Sequence, residues 1–72
     1  MNVTIFFKSS MSTEVKNLTA IEFFNSRGRR TLSGEHMETV LLNPHCAYVF
    51  IGEKESVAVF GADLLYVRFV KS

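Results

Sequence analysis

Apolar and polar residues alternate with a period of two along most of this chain, and this pattern predicts extended strands. The alternation is clearest at the start, where Val3, Ile5 and Phe7 fall on one face of an extended segment. The predicted strands cover residues 2–8, 13–24 with an interruption near 17–18, 46–51, 56–60 and 64–70. Polar or glycine-containing turns separate them at residues 9–12, 25–30, 52–55 and 61–63.

Residues 31–43, which follow the turn at 25–30, fit two periodicities. Met37, Val40 and Leu41 have the spacing of one face of a helix. Met37, Thr39 and Leu41 have the spacing of one face of a strand. The β-branched residues favour the strand, and so does Pro44, which restrains the preceding residue to extended conformations.

These elements predict one all-β domain over residues 1–72. A chain of 72 residues is too short to build two hydrophobic cores. We expect five or six short antiparallel strands, in a single curled sheet or a small open barrel. One helical turn between residues 33 and 43 is the alternative to a strand in that segment.

The hairpin predicted between residues 46 and 60 is apolar on both of its faces. Tyr48 and Phe50 fall on one face of its first strand, and Val49 and Ile51 fall on the other. A sheet with one face in water alternates apolar with polar residues, so both faces of this hairpin require cover. Curling of the sheet, a helix laid across it or a second copy of the chain would supply that cover.

The number of aromatic residues favours cover by another chain. The sequence has seven Phe and two Tyr, and the neighbours Phe6-Phe7 and Phe23-Phe24 point to opposite faces of their strands. Each Phe side chain left in water forgoes roughly 2 kcal/mol, and monomers rarely expose large apolar patches. We therefore expect that the chain forms a homo-oligomer or binds a permanent protein partner. The contact would use an apolar sheet face or a strand edge. The candidate interaction residues are Phe6, Phe24, Tyr48 and Tyr66.

Composition narrows the class of protein. Hydrophobic residues make up 47% of the chain, which is too many for a disordered tail. The longest apolar run, residues 47–51, is too short to span a bilayer, and no basic segment precedes a long apolar stretch as in a signal peptide. The single cysteine, Cys46, leaves no internal disulfide. We expect a small soluble cytoplasmic protein without a membrane partner.

The sequence offers few residues for metal or catalytic chemistry. His36, His45 and Cys46 are the candidate soft metal ligands besides the methionines, but adjacent residues of a strand point to opposite faces and do not grip one ion. No pattern places a histidine against the thiol as a nucleophile pair requires, and the four glycines match no phosphate-binding motif. We therefore expect no metal, no cofactor and no enzymatic activity, and no small-molecule substrate is evident.

The turn NSRGRR, residues 25–30, carries Arg27, Arg29 and Arg30 in a chain whose net charge is only +1. Eight basic residues against seven acidic ones argue against a general polyanion binder. The arginines fit a solvated tip that keeps β-hairpins apart by repulsion, and this interpretation is the favoured one. Alternatively, they hold phosphates of single-stranded nucleic acid while Phe24 or Tyr66 stacks on a base.

The expected function is that of a non-enzymatic interaction or assembly protein. The alternative is a small nucleic-acid-binding β-barrel that uses the three arginines.

Overall fold

The structure is a computed structural model, which describes residues 1–71. Its strands are β1 (Asn2–Phe7), β2 (Ser12–Val15), β3 (Leu18–Asn25), β4 (Gly28–Ser33), β5 (Ala47–Gly52), β6 (Ser56–Phe60) and β7 (Leu64–Val70). Two 3₁₀ segments, Gly34–Thr39 and Gly61–Asp63, complete the regular structure. The predicted all-β class is confirmed.

The strands form two antiparallel sheets. One has three strands in the order β2-β1-β7, and the other has four strands in the order β4-β3-β5-β6. The seven strands exceed the five or six expected, because the sequence GRRTLS forms β4 and does not remain a loop. Within residues 1–71 the strand ladder does not close into a barrel.

The inner faces of the two sheets share one core, which the period-two alternation supplies. Val3 and Ile5 contribute from β1, Ile21 from β3, and Tyr48 and Phe50 from β5, and each is at most 1% exposed. The remaining members of this core are Val15, Leu18, Met37, Cys46 and Leu64. Removal of these side chains from water is the main favourable term in the folding of so small a domain.

The chain passes from one sheet to the other where the sequence predicted an interruption. β2 ends at Val15 and β3 begins at Leu18, which confirms the predicted break. Between them Asn17 takes a positive φ of 52°, a region that asparagine tolerates better than most residues. The turn directs β3 away from β2 and into the second sheet.

The strand expected between residues 35 and 42 is wrong, since a 3₁₀ helix occupies Gly34–Thr39. Gly34 has a φ of 58° and so ends β4, and the Thr39 hydroxyl donates to the His36 carbonyl at 2.7 Å. Met37 alone in this helix is buried, while Leu41 is 85% exposed. The segment therefore caps the core through one side chain and presents no continuous apolar face of either kind.

Among residues 1–71, no helix combines the length and the hydropathy that crossing a membrane requires.

Candidate interaction surface

The structure places the four aromatic residues proposed for an interaction surface at three separate locations. Phe6 and Tyr66 lie together on the outer face of the three-stranded sheet. Phe24 lies on the outer face of the four-stranded sheet and is 39% exposed. Tyr48 is only 1% exposed and belongs to the core, so its side chain offers no surface to a partner. The four therefore do not form one interaction surface.

Tyr48 has a structural role that its aromatic character alone did not reveal. Its hydroxyl accepts the Asn43 N–H at 2.7 Å and donates to the Leu41 carbonyl at 2.8 Å. Burial raises the pKa of the Tyr48 hydroxyl above its ordinary value of 10.0, and the Asn43 hydrogen bond acts in the opposite direction. The ring fills the core while the hydroxyl holds the irregular segment that leads into β5.

Phe6 and Tyr66 cover each other. Their rings stack with centroids 4.4 Å apart and planes 17° from parallel, and the Arg68 guanidinium lies 5.3 Å from the centre of the Phe6 ring. Stacking and the cation–π contact already occupy much of the ring surface that could otherwise contact a partner. This outer face is therefore the weaker candidate for docking.

The outer face of the four-stranded sheet carries a continuous set of apolar side chains. The register places Phe24 of β3 beside Ala47 of β5, and Ala47 beside Phe60 of β6. The next row places Val49 beside Ala58. We call these residues the apolar band: Phe24, Ala47, Val49, Ala58 and Phe60.

The apolar band is open to solvent at β6. Phe60 is 69% exposed, the largest value for any aromatic side chain of residues 1–71. A groove of about 300 Å³ is lined by Phe24, Ala47, Ala58 and Phe60 together with parts of Tyr48 and Val59. An exposed aromatic beside an apolar groove is typical of a protein–protein contact.

β6 is also an edge strand whose outer side has no hydrogen-bonded neighbour in the described chain. At one end of the hairpin the Gly52 N–H donates to the Glu55 carbonyl, and at the other the Gly61 N–H donates to the Cys46 carbonyl, both at 2.7 Å. Antiparallel pairs alternate between hydrogen-bonded and non-bonded, so every second residue of β6 turns its N–H and C=O away from β5. These residues, all exposed, are Ser56, Ala58 and Phe60.

The opposite edge of the same sheet is β4, and it carries two of the three arginines. The turn between β3 and β4 contains only Ser26 and Arg27, and the Asn25 Oδ1 accepts the Arg27 N–H at 2.8 Å. Arg29 pairs with Phe24 across the strands and so lies on the outer face. Arg30 pairs with Phe23 and so points to the other side.

Hydrogen-bonded and non-bonded pairs also alternate between β5 and β3 and between β3 and β4. This alternation identifies the backbone N–H and C=O groups of β4 that have no partner in β3. The residues whose N–H and C=O point away from β3 are Arg29, Thr31 and Ser33, all exposed. Among residues 1–71, none of the three arginines forms an ion pair within the chain. The basic edge is therefore available to an acidic or aromatic partner.

The residues considered for a metal site do not assemble one. Cys46 is buried, and the Asn25 Nδ2 lies 3.8 Å from its Sγ, whereas His36 and His45 are exposed. Within the described range, no three His, Cys, Asp or Glu side chains are grouped so that they would hold an ion.

Comparison with protein-family models, with curated proteins and with solved structures finds no match to this chain. The apolar band, the free edge of β6 and the arginine edge of β4 are therefore the features from which function is inferred. Sequence reasoning did not single out Phe60 or Ala58. Their alternation with Val57 and Val59 indicated a face, but strand order alone makes β6 an edge.

Proposed function

We propose that this chain is a non-enzymatic assembly protein that associates with further copies of itself through the apolar band and the free edge of β6. The observation that carries this proposal is the exposure of Phe60, at 69%, on a strand whose outer edge is unpaired. Within residues 1–71, the Phe60 side chain is open to solvent and the backbone of β6 lacks a second neighbouring strand at the same place. A second chain that pairs with β6 satisfies both at once.

The sequence of β6 supports the proposal. Natural edge strands are commonly protected from pairing by charged residues, proline or a bulge. The β6 sequence SVAVF contains no charged residue and no proline, and its pairing with β5 shows no register shift. The strand therefore lacks the usual protection against addition of another strand.

The energy available from Phe60 is sufficient to matter. Full burial of a Phe side chain contributes roughly 1.5–3 kcal/mol, so covering a side chain that is 69% exposed recovers about 1–2 kcal/mol. Backbone hydrogen bonds to β6 and burial of the neighbouring alanines add to this. Such contributions offset the loss of translational and rotational freedom only when several occur in one interface, as the band and the edge together allow.

The test is the absolute mass in solution, by light scattering on a size-exclusion column over a range of protein concentrations. We expect a mass above the 8.2 kDa of one chain that persists on dilution. Phe60→Ser is expected to lower the measured mass to 8.2 kDa, the mass of one chain, without a change in the circular dichroism spectrum. Leu41→Ser is the matched control, because Leu41 is 85% exposed and lies outside the apolar band. A wild-type mass of 8.2 kDa at every concentration overturns the proposal.

A second candidate function is the binding of single-stranded nucleic acid. The observation that favours it is the pairing of Arg29 with Phe24, which places a cationic and an exposed aromatic side chain side by side. Arg27 and Arg30 add charge within the same hairpin. Phosphate contacts by arginine and base stacking on an aromatic ring are the two elements of such binding.

A salt titration tests this second candidate with a fluorescent oligonucleotide of mixed sequence. Affinity is expected to fall steeply as salt rises, because counterions are released on binding. Changing Arg27, Arg29 and Arg30 to Gln is expected to flatten that slope. Changing Lys8, Lys16 and Lys54 to Gln removes the same charge elsewhere and serves as the control. Absence of binding by micromolar protein at low salt excludes this function.

A further inference from the structure

We propose that copies of this chain join head to tail, with the free edge of β6 in one copy pairing antiparallel with the free edge of β4 in the next. This inference rests on the assembly role proposed above and specifies its geometry and its partner, a second copy of the same chain. The two edges belong to opposite sides of one sheet. One copy therefore uses both of them, each with a different neighbour.

Strand direction fits this arrangement. Each neighbouring pair in the order β4-β3-β5-β6 is antiparallel, so β4 and β6 run in opposite directions. A second copy placed beside the first in the same orientation thus presents β4 antiparallel to β6. The outer faces of the four-stranded sheets of the two copies then form one continuous face. This follows because the residues with free backbone groups on both edges carry their side chains on the outer face.

The register with the greatest overlap gives every free backbone N–H and C=O group of the two edges a partner. It pairs Arg29 with Phe60, Thr31 with Ala58 and Ser33 with Ser56 of the next copy. Each hydrogen-bonded antiparallel pair exchanges two bonds, which gives about six backbone hydrogen bonds across the interface. The short edge strand β6 is then paired along its whole length.

The side chains of this register complement one another. Arg29 comes to lie between Phe24 of its own copy, its cross-strand neighbour, and Phe60 of the next copy, so the guanidinium is within reach of two aromatic rings. The chain already has a related arrangement on its other sheet, where Arg68 lies 5.3 Å from the centre of the Phe6 ring, which stacks on Tyr66. Phe60, the most exposed aromatic side chain of residues 1–71, gains Arg29 as a neighbour on its open side.

Charge also favours unlike edges over like ones. Acidic residues flank β6, with Glu53 and Glu55 before it and Asp63 after it, whereas β4 and its turn carry three arginines. Continued past the ends of the strands, the proposed register places Asp63 at the level of Ser26, next to Arg27 of the neighbouring copy. Two β6 edges paired about Ala58 would instead place Glu53 against Asp63 at both ends. Like charges directly opposite each other in a sheet are destabilising.

Pairing of two β4 edges about Thr31 is less favourable for another reason. It leaves Phe60 uncovered, and each arginine-bearing edge approaches a copy of itself. Pairing of β6 with β4 is the arrangement that places a side chain beside Phe60 and brings the acidic flanks of β6 to the arginine-bearing edge. Because the interface is heterologous, further copies add until a ring closes or a filament forms.

Proline substitutions test the geometry by blocking one edge at a time. Thr31→Pro blocks β4 and Ala58→Pro blocks β6, and neither removes a hydrogen bond within the chain, because both N–H groups point away from their neighbouring strands. Each variant alone is expected to have the 8.2 kDa mass of one chain. An equimolar mixture is expected to give a species of twice that mass that grows no further, since the free β6 of one variant pairs with the free β4 of the other.

Other outcomes identify other geometries. If Thr31→Pro alone forms a dimer, two β6 edges pair; if Ala58→Pro alone forms a dimer, two β4 edges pair, and either result overturns the proposal. Oligomeric wild type together with a mixture that stays at 8.2 kDa also overturns it, while the assembly role itself survives. A wild type that is monomeric at every concentration instead removes the assembly role.

Disulfide trapping is the second measurement, for use if a proline variant does not fold. Residues in a hydrogen-bonded antiparallel pair have Cα atoms about 5.5 Å apart, within the range that a disulfide spans. In a glutathione redox buffer, Thr31→Cys mixed with Ala58→Cys is expected to give the mixed disulfide as the main cross-linked product, identified by peptide mapping. Ser26→Cys, at the exposed turn, reports random encounters. Predominance of either homodimeric disulfide contradicts head-to-tail pairing.

Discussion

Replacement of Tyr48 by phenylalanine removes one oxygen atom from the interior and nothing else. The ring is 1% exposed and remains in place, but two hydrogen bonds are lost, those to the Asn43 N–H and the Leu41 carbonyl. Both backbone groups are partly buried. Neither can reach a new hydrogen-bond partner unless the segment before β5 moves. The variant therefore measures how firmly that segment is held to the core.

The expected loss of stability follows from the unpaired groups. Leaving a buried donor or acceptor without a partner costs about 1–3 kcal/mol. The partial burial of both groups admits some water and places the expected loss for Tyr48→Phe at about 1–2 kcal/mol in total. Domains have about 0.05–0.15 kcal/mol of stability per residue, or roughly 4–11 kcal/mol for a chain of 72 residues. The change is thus a measurable fraction of the whole.

Urea denaturation followed by circular dichroism measures this loss. Tyr66→Phe is the matched control, because Tyr66 is 44% exposed and the same atom is removed. The control is expected to change the free energy of unfolding by less than about 0.5 kcal/mol. If Tyr48→Phe is as stable as the control, water replaces the hydroxyl and the segment is not held as described.

The pH dependence gives an independent check. The pKa of Tyr48 is raised in the folded protein, so its contribution to stability is fully present below the unfolded value near 10 and is lost as pH rises through the folded value. Wild type is expected to lose stability above pH 10 more steeply than Tyr48→Phe. Equal slopes for the two proteins would refute this assignment.

Three further predictions concern other positions, each measured by urea denaturation. Gly61→Ala is expected to lose about 1–3 kcal/mol, because a Cβ there would overlap the Asn43 carbonyl oxygen, a backbone atom that cannot rotate away; wild-type stability would show that the loop moves freely. Ile5→Ala is expected to lose about 2–5 kcal/mol, since Ile5 is fully buried in the shared core, and a loss below 1 kcal/mol would contradict that packing. Asn25→Ala removes the acceptor of the Arg27 N–H and is expected to cost about 0.5–1.5 kcal/mol, because the bond is exposed; no loss would mean that water serves equally well.

Local patterning predicted several elements of the fold. β6 and β7 have the bounds that the alternation indicated, and the helical alternative between residues 33 and 43 is confirmed by the 3₁₀ helix at Gly34–Thr39. β4 was not predicted, because its residues are exposed except for the half-buried Leu32. A strand without a buried face shows no alternation of apolar and polar residues in its sequence. Its extended conformation comes from its pairing with β3.

The candidate site depended on information that is not local. Alternation showed that Tyr48 and Val49 belong to opposite faces of β5, but it did not show which face the second sheet covers. The structure covers the Tyr48 face and leaves the band outside. Phe60 emerges as the principal candidate for a contact residue only when β6 is known to be the last strand of its sheet.

The pairing of β1 with β7 has a consequence for the order of events during synthesis. Asn2 pairs with Val70 and Phe7 with Leu64, so nearly the whole described chain separates the two partners. The three-stranded sheet cannot be completed until β7 has left the ribosome, and until then Val3 and Ile5 lack their final cover. Contacts between strands so distant in sequence slow folding, which extends the period in which the nascent chain offers these side chains to chaperones. A ribosome-bound chain that ends before β7 is therefore expected to be cleaved readily by protease, whereas one in which β7 has emerged is expected to resist cleavage.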